Sequence, residues 1–273
     1  MSLVNKIKAI AVLSIVAISS LNAQIFGLGD DCCPGPLCPC AFGVQAKGGI
    51  APTFFTDPDT TYLVIPGLFP AANPLVAVSS GDDFDDFFDL PWIVGGELSY
   101  NMSDRVQLFL EGMYRQADAK SRSYTFDGAT PIIVSLSHDD FRTWGLYLGG
   151  RYFFNRWDCL CIAPFVGAKI GFQHHRHIDA STVVSAATAA IDGGSVRVFE
   201  SNYALSVGIQ AGFDYAITDC LSLVFTVEGV FTSPLRPNHN AVLPGTFGVT
   251  NIVFGDTGTD ISVPITLGLR WDF

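Results

Sequence analysis

Apolar and polar residues alternate strictly along the last fourteen residues of the chain, 260–273. The apolar set is Ile261, Val263, Ile265, Leu267, Leu269, Trp271 and Phe273, and small or polar residues occupy the positions between them. A period of two places the two sets on opposite faces of a β-strand. Such a strand suits a wall between lipid and a polar interior.

Seven further segments repeat this alternation, and the connections between them differ in length. The segments are residues 41–54, 90–100, 105–115, 141–154, 160–173, 202–216 and 221–231, with short turns at 101–104, 155–159 and 217–220 and long connections at 56–89, 116–140, 174–197 and 232–259. Short periplasmic turns and long external loops are typical of transmembrane barrels. The pattern therefore predicts an all-β fold, an antiparallel transmembrane β-barrel of eight strands.

Some segments leave the strand count open. Residues 61–65, 75–78 and 252–254 also have strand character, so a ten-stranded barrel is an alternative. Residues 123–126 and 132–136 predict a hairpin that extends beyond the membrane. Proline cannot donate to a ladder and a closed barrel has no free edge, so we expect the prolines in these segments at bulges or strand starts. They are Pro52, Pro91, Pro164 and Pro264.

The N-terminal residues predict export. Lys6 and Lys8 precede an apolar run over residues 9–18, and small residues follow up to Ala23. This is the arrangement of a secretory signal peptide, and the run is shorter than the roughly 20 apolar residues that span a bilayer. We expect a signal peptide over residues 1–23, a periplasmic Cys/Pro-rich segment over 24–40, and the barrel over 41–273.

Composition agrees with a membrane barrel. Only 15% of residues are charged, the mean hydropathy is +0.35 and the formal net charge is −11. Lipid accepts only helices and closed barrels, and no long apolar run follows the signal segment. The acidic balance disfavours nucleic acid as a partner. Outward aromatic residues near strand ends predict interfacial girdles: Trp92, Tyr100, Tyr114, Trp144, Tyr152, Tyr203, Tyr215 and Trp271.

These strands, the signal segment and the final residues 267–273 (LGLRWDF) resemble the small eight-stranded outer-membrane barrels of Gram-negative bacteria, of the OmpA-transmembrane-domain and OmpX type. The resemblance implies a place in the bacterial outer membrane, among its lipid and lipopolysaccharide. It also implies that Phe273 is the assembly signal read by the barrel-assembly machinery. Residues 32–40 resemble cysteine-rich envelope proteins of chlamydia-like bacteria.

Charged residues at inward positions are balanced in sign. The basic ones are Lys47, Arg115, Arg151, Lys169 and Arg270, and the acidic ones are Glu97, Glu111, Asp214, Glu228 and Asp272. An eight-stranded barrel is just wide enough for side chains to fill it, and buried charges need partners. We expect a sealed ion-pair network. A gated narrow channel, in which pairs exchange partners, is the alternative.

All seven cysteines fall at one rim of the predicted barrel. They are Cys32, Cys33, Cys38 and Cys40 before the first strand, and Cys159, Cys161 and Cys220 in or near periplasmic turns. The periplasm is oxidising, so we expect disulfides, with the odd thiol free or bridged to another envelope protein. Zinc is the competing interpretation, but the spacing lacks two separated C-x₂-C pairs, and no metal site is assigned.

Two loops contain residue types that can bind metals or catalyse reactions, but their spacing does not match a known metal-binding or catalytic motif. Residues 81–89 are rich in aspartate but lack EF-hand spacing, so we expect a solvated loop whose phenylalanines leave an adhesive role open. The histidines of residues 174–177 receive no metal site. A lipid A-modifying hydrolase would need a serine and an oriented histidine together. Ser181 or Ser185 with His174 is a conceivable pair, and no spacing selects it.

These observations predict a non-enzymatic outer-membrane β-barrel, without a cofactor, that has a structural or surface-interaction role in the cell envelope. A narrow porin-like channel is the first alternative. A lipid A-modifying hydrolase is the second.

Overall fold

The computed structural model describes residues 37, 41–55, 61–65, 75–79, 84–126, 132–155, 161–186, 189–218, 220–234, 236–237, 242–243, 250–253 and 259–273. The chain divides into two units, residues 1–32 and 33–273, and every described residue belongs to the second. The predicted signal peptide and, apart from Leu37, the predicted periplasmic segment lie outside the described residues. No helix in the part described is long and apolar enough to cross a membrane.

Strands dominate the described residues, and a single short helix interrupts them. In chain order the elements are β1 (Phe42–Ile50), β2 (Thr53–Phe55), β3 (Thr61–Ile65), β4 (Leu75–Ser79), α1 (Phe84–Phe87), β5 (Trp92–Asn101), β6 (Val106–Ala117), β7 (Arg122–Phe126), β8 (Ile132–His138), β9 (Phe141–Phe153), β10 (Ile162–His175), β11 (Ile178–Ala186), β12 (Ala189–Glu200), β13 (Asn202–Ala216), β14 (Leu221–Thr232), β15 (Arg236–Pro237), β16 (Val242–Leu243), β17 (Thr250–Val253), β18 (Asp260–Ser262) and β19 (Ile265–Asp272).

Eight of these strands close into an antiparallel barrel, as the alternation predicts. The order is β1–β5–β6–β9–β10–β13–β14–β19, and β19 pairs back with β1. Strands β2 and β18 follow β1 and precede β19, and they pair with each other as an extension of the same wall. Strands β3, β4 and β17 form a separate four-stranded sheet with β16, so the ten-stranded alternative is wrong for the described residues.

The four prolines lie at positions where the β-ladder does not require a backbone N–H donor. Pro52 separates β1 from β2, Pro264 separates β18 from β19, Pro91 precedes β5, and Pro164 is the third residue of β10. Their carbonyl groups still take part in pairing: Pro91 accepts from the Ala51 amide at 2.9 Å. Pro52, Pro91 and Pro264 thus directly precede a strand, as expected, whereas Pro164 lies within β10 in regular register with β13.

A second sheet continues the barrel on the side of the long connections. Its order is β15–β12–β11–β8–β7. The β7–β8 hairpin was expected from the sequence and is present. The expectation of a long loop over residues 174–197 is wrong, because β11 and β12 occupy most of it and pair from Ile178 to Phe199. Alanine, serine and glycine make up much of β11 and β12, so apolar alternation in them is weak, and the pairing of β11 with β8 is a tertiary effect.

Close approach of the ring of Phe109 to the neighbouring strand shapes the barrel interior. A side chain added at Gly149, directly opposite in the register, would collide with this ring. Glycine in a strand often marks such a contact. The absence of a side chain at Gly149 therefore leaves room for the Phe109 ring inside a narrow lumen.

Candidate functional site

The ten charged residues predicted to face the lumen all lie on the inward face of the barrel strands. Nine of them are buried, and Asp272, at the periplasmic rim, is partly exposed. Alternation along each strand produces this arrangement, because neighbours of the inward residues, such as Leu98 beside Glu97 and Ile170 beside Lys169, are more than half exposed. The lumen is thus the place where the chain collects its buried charge.

Four charges form a closed ring at mid-height. Lys47 Nζ lies 2.9 Å from Glu111 Oε1 and 3.1 Å from Glu228 Oε1. Lys169 Nζ lies 3.2 Å from Glu111 Oε2 and also pairs with Glu228 Oε2. Each lysine therefore contacts both glutamates, and the Tyr147 ring covers Lys169 at 4.5 Å from its centroid. We call these four charged residues the central ring.

A second ion pair lies below the central ring. Arg151 pairs with Glu97, and both side chains are fully buried. The guanidinium carbon lies 4.4 Å from the centroid of Phe109 and 5.1 Å from that of Phe165. The inward set is therefore not uniformly polar, because aromatic rings fill the space between the charges.

Two further arginines pair near the two ends of the lumen. On the periplasmic side, Arg270 Nη2 lies 2.6 Å from Asp214 Oδ2 and 3.0 Å from Asp272 Oδ2. On the external side, Arg115 Nη2 lies 2.7 Å from Asp260 Oδ2. Every arginine and lysine of the predicted network thus has an acidic partner.

Asp260 is the functional residue that the sequence reasoning missed. It is 1% exposed and is the acidic partner of Arg115. It has the same parity as Thr266 and Arg270 along the C-terminal alternation, so the pattern itself contained the signal. Asp260 begins strand β18, which Pro264 separates from β19, so it stands apart from the longer strand on which the alternation is clearest.

A cap of aromatic rings closes the external end of the lumen. Phe84 begins helix α1 and Phe88 directly follows it; they are 1% and 4% exposed, and their rings pack on Phe141 with centroids 5.1 and 5.6 Å away. The backbone holds the helix in place, since Lys120 N donates to Phe87 O at 2.7 Å. The expectation of a solvated loop is wrong for these phenylalanines. We call Phe84, Phe88 and Phe141 the aromatic cap.

An apolar cluster occupies the periplasmic end. Leu37, from the segment before the first strand, is 6% exposed and packs with Phe153 and Phe165. Ala163 and Val224 complete the cluster. Charged layers in the middle of the lumen therefore lie between an aromatic cap and an apolar cluster.

The outer face of the barrel has the opposite character. Leu148 and Ile209, near the middle of β9 and β13, are 60% and 66% exposed. The aromatic residues expected in girdles face outward or lie half-buried at strand ends. A closed ladder with an apolar outside and a polar inside is built for a bilayer, and among β-proteins it is the arrangement of outer-membrane barrels. The chain is an eight-stranded outer-membrane β-barrel.

Comparisons with known proteins find similar solved structures but no matching sequence family. No protein-family model matches the chain, and no curated protein matches its sequence. The barrel is similar to the outer membrane protein OprG from Pseudomonas aeruginosa, at 16% identity and a TM-score of 0.40, over 86% of this chain and 97% of that one. It is also similar to Neisserial surface protein A, at 13% identity and a TM-score of 0.39, over 85% of this chain and 97% of that one. A third similar structure is Ail of Yersinia pestis, at 10% identity and a TM-score of 0.33, over 86% of this chain and 100% of that one.

Two of the seven cysteines belong to the described residues. Cys220 is an exposed free thiol in the turn before β14. Cys161, just before β10, has a positive φ of 53°. The other five, Cys32, Cys33, Cys38, Cys40 and Cys159, lie outside the described residues. The expectation of disulfides with one odd thiol therefore stays a prediction.

The histidine run is divided between different surroundings. His174 Nε2 lies 2.8 Å from Ser201 Oγ, whereas Ser181 and Ser185 lie on β11 in the external sheet. Neither serine named from the sequence therefore contacts His174. His175 faces inward beneath Phe141. No group of three or more metal-ligating side chains occurs among the residues that the structure describes.

Proposed function

We propose that this outer-membrane barrel is sealed and non-enzymatic, and that it serves the cell envelope as a structural or surface-interaction protein. The observation that carries the proposal is the central ring, in which Lys47 and Lys169 each contact Glu111 and Glu228. The runner-up is a narrow porin-like channel through the same lumen.

The ring opposes ion passage for an electrostatic reason. Its charges sum to zero, and all four side chains are at most 1% exposed. A passing ion would have to separate a buried pair and leave an uncompensated charge, which is strongly unfavourable. The aromatic cap and the apolar cluster around Leu37 add barriers in series. These three layers of contact would have to open together for a conducting path.

Planar-bilayer conductance of the refolded protein tests the proposal. We expect the wild type to give no steady current steps. The double variant Lys47→Ala/Glu111→Ala removes one charge of each sign from the ring and is expected to give measurable current. Asp104→Ala/Arg105→Ala removes an exposed pair from a periplasmic turn and serves as the matched control. Steady current from the wild type and the control would favour the porin-like channel instead.

The surface role is supported by the external sheet. Its strands β8, β11 and β12 carry a row of neighbouring serines, Ser137, Ser181 and Ser195, whose side chains are exposed. A sheet presented beyond the membrane offers a surface to other molecules. A Ser181→Cys variant should react with a membrane-impermeant thiol reagent on intact cells. Ser103→Cys, in a periplasmic turn, should not react. If Ser103→Cys reacts and Ser181→Cys does not, the barrel has the opposite orientation in the membrane.

The hydrolase alternative has one contact in its favour. A serine and a histidine within hydrogen-bond reach are the core of an activated nucleophile, and Ser201 and His174 meet that condition. No carboxylate of the described residues hydrogen-bonds to His174 to orient it, so we propose that the barrel is not an enzyme. Mass spectra of lipid A from expressing cells should be identical for the wild type and Ser201→Ala. A lipid A species lost with this variant would support the hydrolase.

A further inference from the structure

A polar cleft of about 230 Å³ lies at the external rim, where β9 and β10 leave the apolar belt. Its lining residues are His138, Asp139, Asp140, Arg142, Arg176 and His177. They come from the end of β8, the connection between β8 and β9, the first residues of β9, and the connection between β10 and β11. The central ring and the aromatic cap contribute no charged residue to it.

The two arginines of the cleft are neighbours on the outward side of the barrel. The Arg176 amide donates to Arg142 O at 3.1 Å, and one step below, His174 lies opposite Trp144 in the register. The His174 and Trp144 rings stack with centroids 5.4 Å apart, and Tyr203 packs on His174 at 4.7 Å. Aromatic rings of this kind mark the membrane interface. The arginines therefore lie at the level of lipid headgroups.

The donors of this cleft are only partly used. Arg142 Nη2 lies 2.8 Å from Asp140 Oδ2, yet its buried Nε has no hydrogen-bond partner. Arg176 is exposed and forms no ion pair with any described residue. Like charges on neighbouring strands repel, so two adjacent arginines at this position favour an anion between them. Asp139 is the one remaining carboxylate of the cleft, and it is exposed.

We infer that this cleft binds a phosphate group carried by a glycolipid of the outer leaflet. A phosphate presents several acceptor oxygens, and guanidinium groups bind it through paired, charge-assisted hydrogen bonds. Arg142 supplies the unused Nε donor, Arg176 supplies the unpaired charge, and the aromatic rings below contact the acyl chains. A free phosphate ion has the same chemistry, but it would gain nothing from the aromatic rings. The inference does not depend on whether the lumen conducts.

Native mass spectrometry of the refolded full chain in neutral detergent tests the site. The probes are lipid A with two phosphates, the same lipid after removal of both phosphates, and inorganic phosphate. We expect the phosphorylated lipid to bind at least about tenfold more tightly than the dephosphorylated one, because charge-assisted hydrogen bonds are lost with the phosphate. Inorganic phosphate at millimolar concentration should compete only weakly.

Matched variants decide between the outcomes. Arg142→Gln/Arg176→Gln should reduce binding of the phosphorylated lipid by about tenfold or more. Arg105→Gln/Arg197→Gln removes the same charge from exposed positions elsewhere and should leave binding unchanged. Gel mobility before and after boiling verifies that each variant is folded. Equal binding of both lipids, or equal binding by both double variants, would overturn the site. Full competition by inorganic phosphate would overturn the glycolipid as its source.

Discussion

Arg151 and Glu97 face each other across the lumen in a two-point contact. Arg151 Nη1 lies 2.6 Å from Glu97 Oε1, and Arg151 Nη2 lies 2.6 Å from Glu97 Oε2. The residues belong to β9 and β5, which are separated by β6, so the contact spans the interior rather than following one ladder. This paired geometry is the strongest form of an arginine–carboxylate interaction.

Breaking this pair from one side should destabilise the barrel strongly. Arg151→Met leaves the Glu97 carboxylate buried without a cation, which costs about 3–5 kcal/mol of unfolding free energy. Adding Glu97→Leu removes the orphaned charge and should restore most of that loss. Urea unfolding in lipid vesicles measures both variants. If the double variant is less stable than Arg151→Met alone, the pair is not the reason for the loss.

The inward position of the charged residues could be predicted because, along each strand, they alternate with the apolar residues that face outward. Once Leu267 and Leu269 are assigned to lipid, Arg270 must face inward, and the same argument applies to Lys169 and Glu228. The partner of each charge could not be predicted. Arg115 pairs with Asp260, which is 145 residues away, and only the closure and shear of the barrel bring the two strands to the same height.

A charge in the middle of the outer face should be far more costly than one at its edge. Ile209 lies at the centre of β13 and is 66% exposed to the lipid side, and Ile217 lies in the following periplasmic turn. Ile209→Arg should cost about 2–4 kcal/mol of folding free energy in vesicles, and Ile217→Arg about 0–1 kcal/mol. Reversible unfolding in thin-lipid vesicles compares the two. Equal costs would show that the outward face is not immersed in lipid as proposed.

The aromatic cap shows where sequence reasoning fails. Phe84 and Phe88 follow a run of aspartates, so their surroundings read as a solvated loop. Burial of a loop phenylalanine depends on what packs above it, and here the β6–β7 connection and Phe141 supply that packing. The two residues have the spacing of one helical turn, but a single turn is too short to predict from periodicity.

Removal of the cap should loosen helix α1 without unfolding the barrel. Phe84→Ala/Phe88→Ala removes two buried rings, so local opening should become easier, and amide exchange at Asp89 and Lys120 should accelerate on the order of a hundredfold. These amides donate to Asp118 O and Phe87 O in the intact cap. Leu90→Ala, at an exposed position in the same segment, is the control. Unchanged exchange would mean that backbone contacts alone hold the helix.

The terminal residue should matter for assembly and not for stability. The side chain of Phe273 is 74% exposed, and its amide donates to Phe42 O at 2.8 Å, a bond that Phe273→Ala retains. We expect the unfolding free energy to change by less than about 0.5 kcal/mol. The amount of folded protein in the outer membrane should nevertheless fall, because the resemblance to small barrels implies that Phe273 is the assembly signal. Wild-type membrane levels of this variant would remove that role from Phe273.

The exposed thiol of Cys220 should govern covalent association. It is the free cysteine among the described residues, and its turn lies at the periplasmic rim, where an oxidising environment favours bridges. Non-reducing gels of the native envelope should show covalent multimers for the wild type. Cys220→Ser should abolish these multimers, while the intramolecular disulfides that we expect among the other cysteines still make the oxidised monomer migrate faster than the reduced one. Multimers that persist in Cys220→Ser would assign the intermolecular bridge to another cysteine, and labelling of all seven thiols in cells would contradict disulfide formation altogether.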